Sequence, residues 1–132
     1  MADLSLVLVT PEQTLFDRSA ASVRVPLFDG SAGIYPGRAP LVGRLGYGEL
    51  KLNEPNGNTE SWFIEGGFVQ VKGGQVSVLT NAAVPVSELS RATALEELEK
   101  ARAEKPGSAE EQEARAGRLE RARRMVSLAT VD

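Results

Sequence analysis

Side chains able to do acid–base or nucleophilic work are scarce in this 132-residue chain. It has no histidine and no cysteine, which removes the commonest general base, the thiol nucleophile and the usual zinc ligands. The carboxylates nearest potential loop clefts are Asp29, Glu60 and Glu65, and no spacing pairs any two of them as acid and base. They read as solvated or turn-forming groups. No Gly-x-x-x-x-Gly-Lys-Ser/Thr run occurs, so Gly66-Gly67 and Gly73-Gly74 read as a close backbone approach and a tight turn rather than a phosphate cradle. The expectation is a chain that catalyses nothing and holds no metal. What it does carry is a presenting loop, Gly33-Ile34-Tyr35-Pro36-Gly37-Arg38-Ala39-Pro40-Leu41. Its glycines and prolines exclude helix and the middle of a paired strand. Ile34 and Leu41 anchor its ends, Gly37 supplies the positive φ that a turn after proline uses, and Tyr35 and Arg38 are left to project toward a partner.

The elements that must position this loop fall into two halves that change character at Pro85. Most of the glycines and all but one of the prolines lie at or before it, whereas Val86–Asp132 holds nine Lys/Arg and ten Asp/Glu. The first half reads as short strands. Leu4, Leu6 and Leu8 alternate with Ser5, Val7 and Val9, and Val23, Val25 and Leu27 alternate with Arg24 and Pro26, the proline marking an edge or a bulge. Tyr47–Leu52 and Trp62–Ile64 flank an Asn56-Gly57 hairpin, and Val69 and Val71 lead through Gly73-Gly74 to Val76 and Val78. The predicted fold is a mostly β sandwich or flattened barrel of about ten short strands over residues 1–85. With no helical crossover between them, the strands are expected to pair antiparallel. Residues 86–132 read as an antiparallel helical hairpin. Its first helix is capped by Ser87, with a stripe of Leu89, Ala92, Leu95 and Leu98. Pro106-Gly107 breaks the chain, and Ser108 with Glu111 forms a capping box before a stripe of Leu119, Ala122, Val126 and Ala129. Helices this short are marginal alone, so the hairpin is expected to depend on docking.

A net charge of −3 is too mild to argue for nucleic acid or an anionic membrane surface. No apolar run approaches the roughly 20 residues of a membrane helix, and Met1-Ala2-Asp3 lacks the basic region of a signal or transit peptide. The chain reads as soluble, untargeted and suited to a reducing compartment.

The loop and its neighbours resemble a known family. Gly33–Leu41 resembles the Gly-Ile-Pro-Gly-His-Ala-Pro-Leu signature of the epsilon subunit of F-type ATP synthases. The Asp29-Gly30-Ser31-Ala32-Gly33 turn, Glu65-Gly66-Gly67-Phe68-Val69-Gln70-Val71 and Val76-Ser77-Val78-Leu79 follow in the family's order. The likeness is collinear from Leu4 to Ala83, with departures at Arg38, where the family usually has His, and at Asn81, where Asp is common.

The resemblance implies a non-catalytic central-stalk (rotor) subunit for ATP synthesis coupled to ion transport. Its partners would be the gamma subunit, the membrane rotor ring and, through a C-terminal arm, the alpha/beta catalytic head. Residues 1–85 would contact stalk and ring, and 86–132 would be a regulatory arm that restrains ATP hydrolysis. By the same resemblance Asp29, Ser31, Tyr35 and Arg38 face the ring; the other reading is that these turns only close the sandwich. Arg121, Arg123 and Arg124, off the apolar stripe, would meet an acidic segment of the head, or else pair with Glu113 and Glu120. Some relatives bind ATP where the helices meet. Their motif falls on Leu89–Ala94 without its Asp and Arg, or on Ser87–Ala92 when shifted, which leaves Glu88, Arg91 and Arg121 as candidate ligands; the other reading is a solvated charged face. No other cofactor, no nucleic acid and no membrane insertion are expected. The implied location is peripheral, on the cytoplasmic side of a bacterial plasma membrane, ahead of a plastid thylakoid. A reading from another class is a free-standing nucleotide-sensing module of sandwich and helical hairpin, and a third is a scaffold adaptor in an unrelated assembly.

Overall fold

In the computed structural model, which describes residues 3–129, the alternation of the first half becomes two facing layers. Strand β1 (Leu4–Val9) points Leu4, Leu6 and Leu8 inward, each at most 1% exposed. It is followed by β2 (Thr14–Ala20), β3 (Ser22–Leu27), β4 (Gly30–Ile34), β5 (Leu41–Asn53), β6 (Thr59–Lys72), β7 (Gln75–Leu79) and β8 (Ala83–Pro85). These eight strands pair in the order β2-β1-β7-β6-β5-β3-β4, with β8 added to β6. The count is eight rather than about ten because β5 and β6 each run unbroken through stretches whose sequence reads as shorter strands.

Strands of 13 and 14 residues would span about 45 Å if straight, too long for a unit of this size. The ribbon bends instead. Its register passes from Leu45 opposite Gly67 to Tyr47 opposite Glu65, skipping one residue on each strand. One half of the ribbon then lies with β7, β1 and β2, and the other with β3, β4 and β8. Leu6, Leu8, Val69, Val71, Val76 and Val78 from the first layer meet Val23, Val25, Ile34, Leu50, Leu52 and Ile64 from the second in one core.

The bend is held by backbone contacts. Gly66 and Gly67 have φ of 70° and 105°. A Cβ at Gly67 would stand 1.9 Å from the Leu79 carbonyl oxygen, so no side chain fits there. Buried Thr80 accepts from the Glu65 N–H (3.1 Å) and donates to the Ala82 carbonyl (3.2 Å). Asn81 donates its amide to the Glu65 carbonyl (3.1 Å), a role the family's more common aspartate could not fill.

Two expectations are corrected. Strands β1 and β7 pair parallel, Ser5 to Gln75 through Val9 to Leu79. The chain leaves the first layer, builds the second, and returns, so strands rather than a helix supply the crossover. Asp29–Gly33 is not one turn, since Gly30–Ile34 is strand β4, paired with β3. Pro26 does sit beside a bulge, in the register shift between Arg24 and Leu27 against β5. Between the layers, Arg18 lies 4.5 Å over the Phe16 ring and pairs with Glu60, which also accepts from the Trp62 indole (3.0 Å). Glu60 is thereby a structural fastener.

The second unit, Val86–Asp132, is separate from Met1–Pro85. A 3₁₀ turn at Val86–Glu88 precedes α1 (Arg91–Ala103), and α2 (Ala109–Leu128) returns antiparallel. Ser90, not Ser87, caps α1, accepting from the Thr93 N–H (3.3 Å), because Ser87 is inside the 3₁₀ turn. The α1 stripe is also corrected. A run of pure three-residue steps drifts by about 60° per step on a helix of 3.6 residues per turn. Ala92 and Leu95 therefore wind off to the exposed side, Leu98 and Ala101 pack with α2, and Ala94 is buried as well. On α2, Leu119 and Ala122 are buried as expected, and Ser108 accepts from the Glu111 N–H (3.1 Å). The Glu111 carboxylate reaches one residue past the cap, to the Gly107 N–H (2.8 Å).

Gly67→Ala is expected to cost about 3 kcal/mol or more, since positive φ and a backbone clash act together. Gly37→Ala, with φ of 86° but open space around it, should cost about 1–2 kcal/mol. Urea melts followed by Trp62 fluorescence would check both.

Candidate functional site

The outer face of the first layer breaks the usual apolar-in, polar-out alternation. Val42, Phe68 and Leu79 point outward from β5, β6 and β7 at 72, 60 and 51% exposure, and Phe28, just past β3, is 67% exposed. Register sets most of them in a line: Val9 opposite Leu79, Leu79 opposite Phe68, and Phe68 opposite Arg44. The Phe28 N–H donates to the Arg44 carbonyl (2.9 Å), which carries the line on to the end of β3. Val42 stands two residues before Arg44, on the same side of β5. Apolar side chains gathered in this way on a strand face mark an interaction surface. Arg44 lies within the line, its guanidinium 5.5 Å from the Phe28 ring, and among the described residues no carboxylate pairs with it.

Sequence reasoning missed this row. The signal was available in parity: once Val69 and Val71 are assigned to the core, Phe68 must face out, and once Leu45 is inside, so must Arg44 and Val42 follow the other side.

The presenting loop forms as its sequence dictates. Tyr35-Pro36-Gly37-Arg38 is a turn closed by the Arg38 N–H on the Tyr35 carbonyl (3.2 Å), with proline at its second position and positive φ at its third. Tyr35 and Arg38 are exposed. Asp29 is exposed in the β3–β4 turn, and Ser31, on β4, accepts from Arg24 (3.3 Å). The four residues do not form one cluster, because Asp29 and Tyr35 flank opposite ends of β4.

In the hairpin the charged residues are largely spent internally. Arg115 of α2 donates to the Ala101 and Arg102 carbonyls (2.8 and 3.2 Å), satisfying the open C-terminal end of α1. Arg91 of α1 donates to the Ala129 carbonyl at the end of α2 (3.2 Å). Each helix is thus capped by an arginine of the other. Between these ends, Arg118 grips Glu104 through two nitrogens, one contact at 3.0 Å, and Arg121 pairs with Glu97 at 2.6 Å. The Arg118 hydrogen bond lowers the Glu104 pKa and raises that of Arg118. This corrects the expectation that Arg121 stands clear of the partner helix. Arg124 pairs within its own helix with Glu120 (2.8 Å), and Arg123 is exposed. Of the nucleotide candidates, Glu88 is exposed in the 3₁₀ turn, while Arg91 and Arg121 engage different parts of the hairpin. The structure does not gather the three into one cradle.

Comparison with known proteins gives a consistent result. The family described as ATP synthase, Delta/Epsilon chain, beta-sandwich domain matches residues 3–86. The chain is 47% identical over 106 residues to the ATP synthase epsilon chain of Rhodopirellula baltica, which covers 80% of this chain and 81% of that one. It is 38% identical over 100 residues to the ATP synthase epsilon chain of Prochlorococcus marinus, covering 76% and 74%. Among solved structures, a chain of the Euglena gracilis mitochondrial ATP synthase, captured with its OSCP, F1 and c-ring, shares the fold. That match has a TM-score of 0.88 at 24% identity and covers 96% of this chain and 81% of that one.

Two outcomes follow from the hairpin geometry. Arg115→Ala should lower the thermal midpoint of the helical circular-dichroism signal by an amount equivalent to about 1 kcal/mol, whereas Arg123→Ala should leave it within about 0.5 kcal/mol. Glu104 should titrate below an ordinary glutamate in carboxyl NMR, and Arg118→Gln should return it to the ordinary range. Because its folded pKa is the lower one, the contribution of Glu104 is present above the unfolded value and fades as pH falls through the folded one.

Proposed function

The chain belongs to the delta/epsilon family of ATP synthase chains, and on that premise we propose that it is a non-catalytic rotor subunit of the central stalk, joining a gamma subunit to the membrane ring. The observation that carries this reading is the exposed row of Phe28, Val42, Phe68 and Leu79, the outward face that most needs a protein partner. The row is the gamma-docking face. The rigid Tyr35–Arg38 turn, with Asp29 and Ser31, serves the ring side. The hairpin is an arm that restrains ATP hydrolysis at the catalytic head, with Arg123 and Arg124 the residues most readily offered to acidic groups there.

The competing nucleotide-sensor reading is weakened by the engagement of Arg91 and Arg121 inside the hairpin, since ATP would have to displace both contacts. Its place in this reading is peripheral, on the cytoplasmic side of a bacterial membrane; the bacterial sources of the relatives support the bacterial setting. Among the described residues, no helix is long and apolar enough to cross a membrane.

Phe68→Ser should prevent co-purification with gamma while leaving the strand spectrum and melting midpoint unchanged. In the assembled enzyme, a stop after Pro85 should leave ATP synthesis largely intact and raise ATP hydrolysis. Undiminished gamma recovery with Phe68→Ser would remove the docking assignment, and equal hydrolysis rates with and without the tail would remove the inhibitory role of the arm.

A further inference from the structure

We infer that the partner covering the apolar row presents a carboxylate to Arg44, set within an otherwise apolar contact stripe. The inference rests on the docking reading above and adds the chemistry of the occupant. Arg44 is not at the rim of the row. Register places Phe68 directly opposite it on one side, and the Phe28 ring lies under its guanidinium on the other. A partner that covers both aromatic rings also covers the charge between them. Among the described residues no carboxylate neutralises that charge, and the guanidinium lies over the Phe28 ring face instead.

Burying a guanidinium with no counter-charge is strongly unfavourable, and the stacking on Phe28 opposes its swinging out to water. The planar donor fork instead suits two parallel hydrogen bonds to a carboxylate. Nearby charge points the same way. On the same outward side Lys72 follows Phe68 and Gln70 along β6, so this end of the face is basic. Of the acids, Asp17 is across the sheet on β2, opposite Val7 and hydrogen-bonded to Ser5, and Asp29, exposed in the turn beside Phe28, makes no ion pair with Arg44. The face therefore reads as an apolar stripe with a positive centre, and its complement is an apolar stripe with a negative one.

The test is to titrate the gamma subunit of the same organism against the full-length chain at low and high salt, with Phe68→Ser, Arg44→Gln and Arg44→Glu variants. Arg44→Gln should weaken binding roughly 30-fold or more, Arg44→Glu should weaken it further, and both should flatten the salt dependence. Gln substitutions at the acidic residues of gamma should then include one whose loss is not additive with Arg44→Gln, which identifies the carboxylate. Binding that Phe68→Ser weakens but Arg44→Gln leaves unchanged or tightens would overturn the carboxylate while keeping the docking face. Binding unaffected by Phe68→Ser would overturn the docking reading and this inference with it.

Discussion

A ribbon as long as β5–β6 has to fold over to bury both halves, and the place where it does so is fixed by van der Waals contact between two backbones. Gly67 lies against the Leu79 carbonyl at a distance that admits no Cβ, and Thr80 and Asn81 tie the adjoining Glu65 peptide from both sides. The rest of the sandwich follows from that constraint. The bend creates the two layers and allows β7 to lie parallel to β1. It also sets the parity of β6, so that Val69 and Val71 enter the core while Phe68 is left outside. The interaction row is thus a by-product of the same geometry that closes the core, and a shift of one residue at the bend would exchange the two sets of side chains.

The two units hold themselves together by different physics. The sandwich is cohesive through a large apolar core shared by both layers, held by a non-directional force. Among the described residues the hairpin packs Leu98, Ala101, Leu119 and Ala122 into a small cluster, and directed contacts from arginines add to it. Such contacts are each modest and are screened by ions. A rigid body and an element that ordinary changes in solution can loosen are therefore joined in one chain, a division of labour suited to docking with one part and responding with the other.

Much of this was legible in the residues. The strand alternation, the Asn56-Gly57 hairpin, the Tyr35–Arg38 turn and the Ser108 cap each depend on local chemistry, and each formed where its sequence placed it. The misses share a cause. The parallel β1–β7 pair joins residues some seventy positions apart, and nothing local to either strand encodes it. The α1 stripe went wrong because leucines at three-residue steps look like a face while drifting around the helix, and the alanines that actually pack carry little hydropathy signal. The outward apolar row was hidden because an outward Phe in a strand cannot be told from an inward one until the register is known. The arginines were recognised as a group, but whether each meets a carboxylate, a carbonyl or solvent is decided by helix–helix geometry.

The crossed arginine caps give the hairpin a particular mode of failure. An ordinary helix frays from its ends, one residue at a time, because its last carbonyls are satisfied by water as readily as by the chain. Here the end of α1 is held by a side chain rooted in α2, and the end of α2 by one rooted in α1. Each terminus is harder to unwind while the other helix stays docked, and separating the helices uncaps both ends at once. The hairpin should then have few half-open forms. Amide protons along both helices would exchange through a shared opening, and the element would pass between closed and released as a unit.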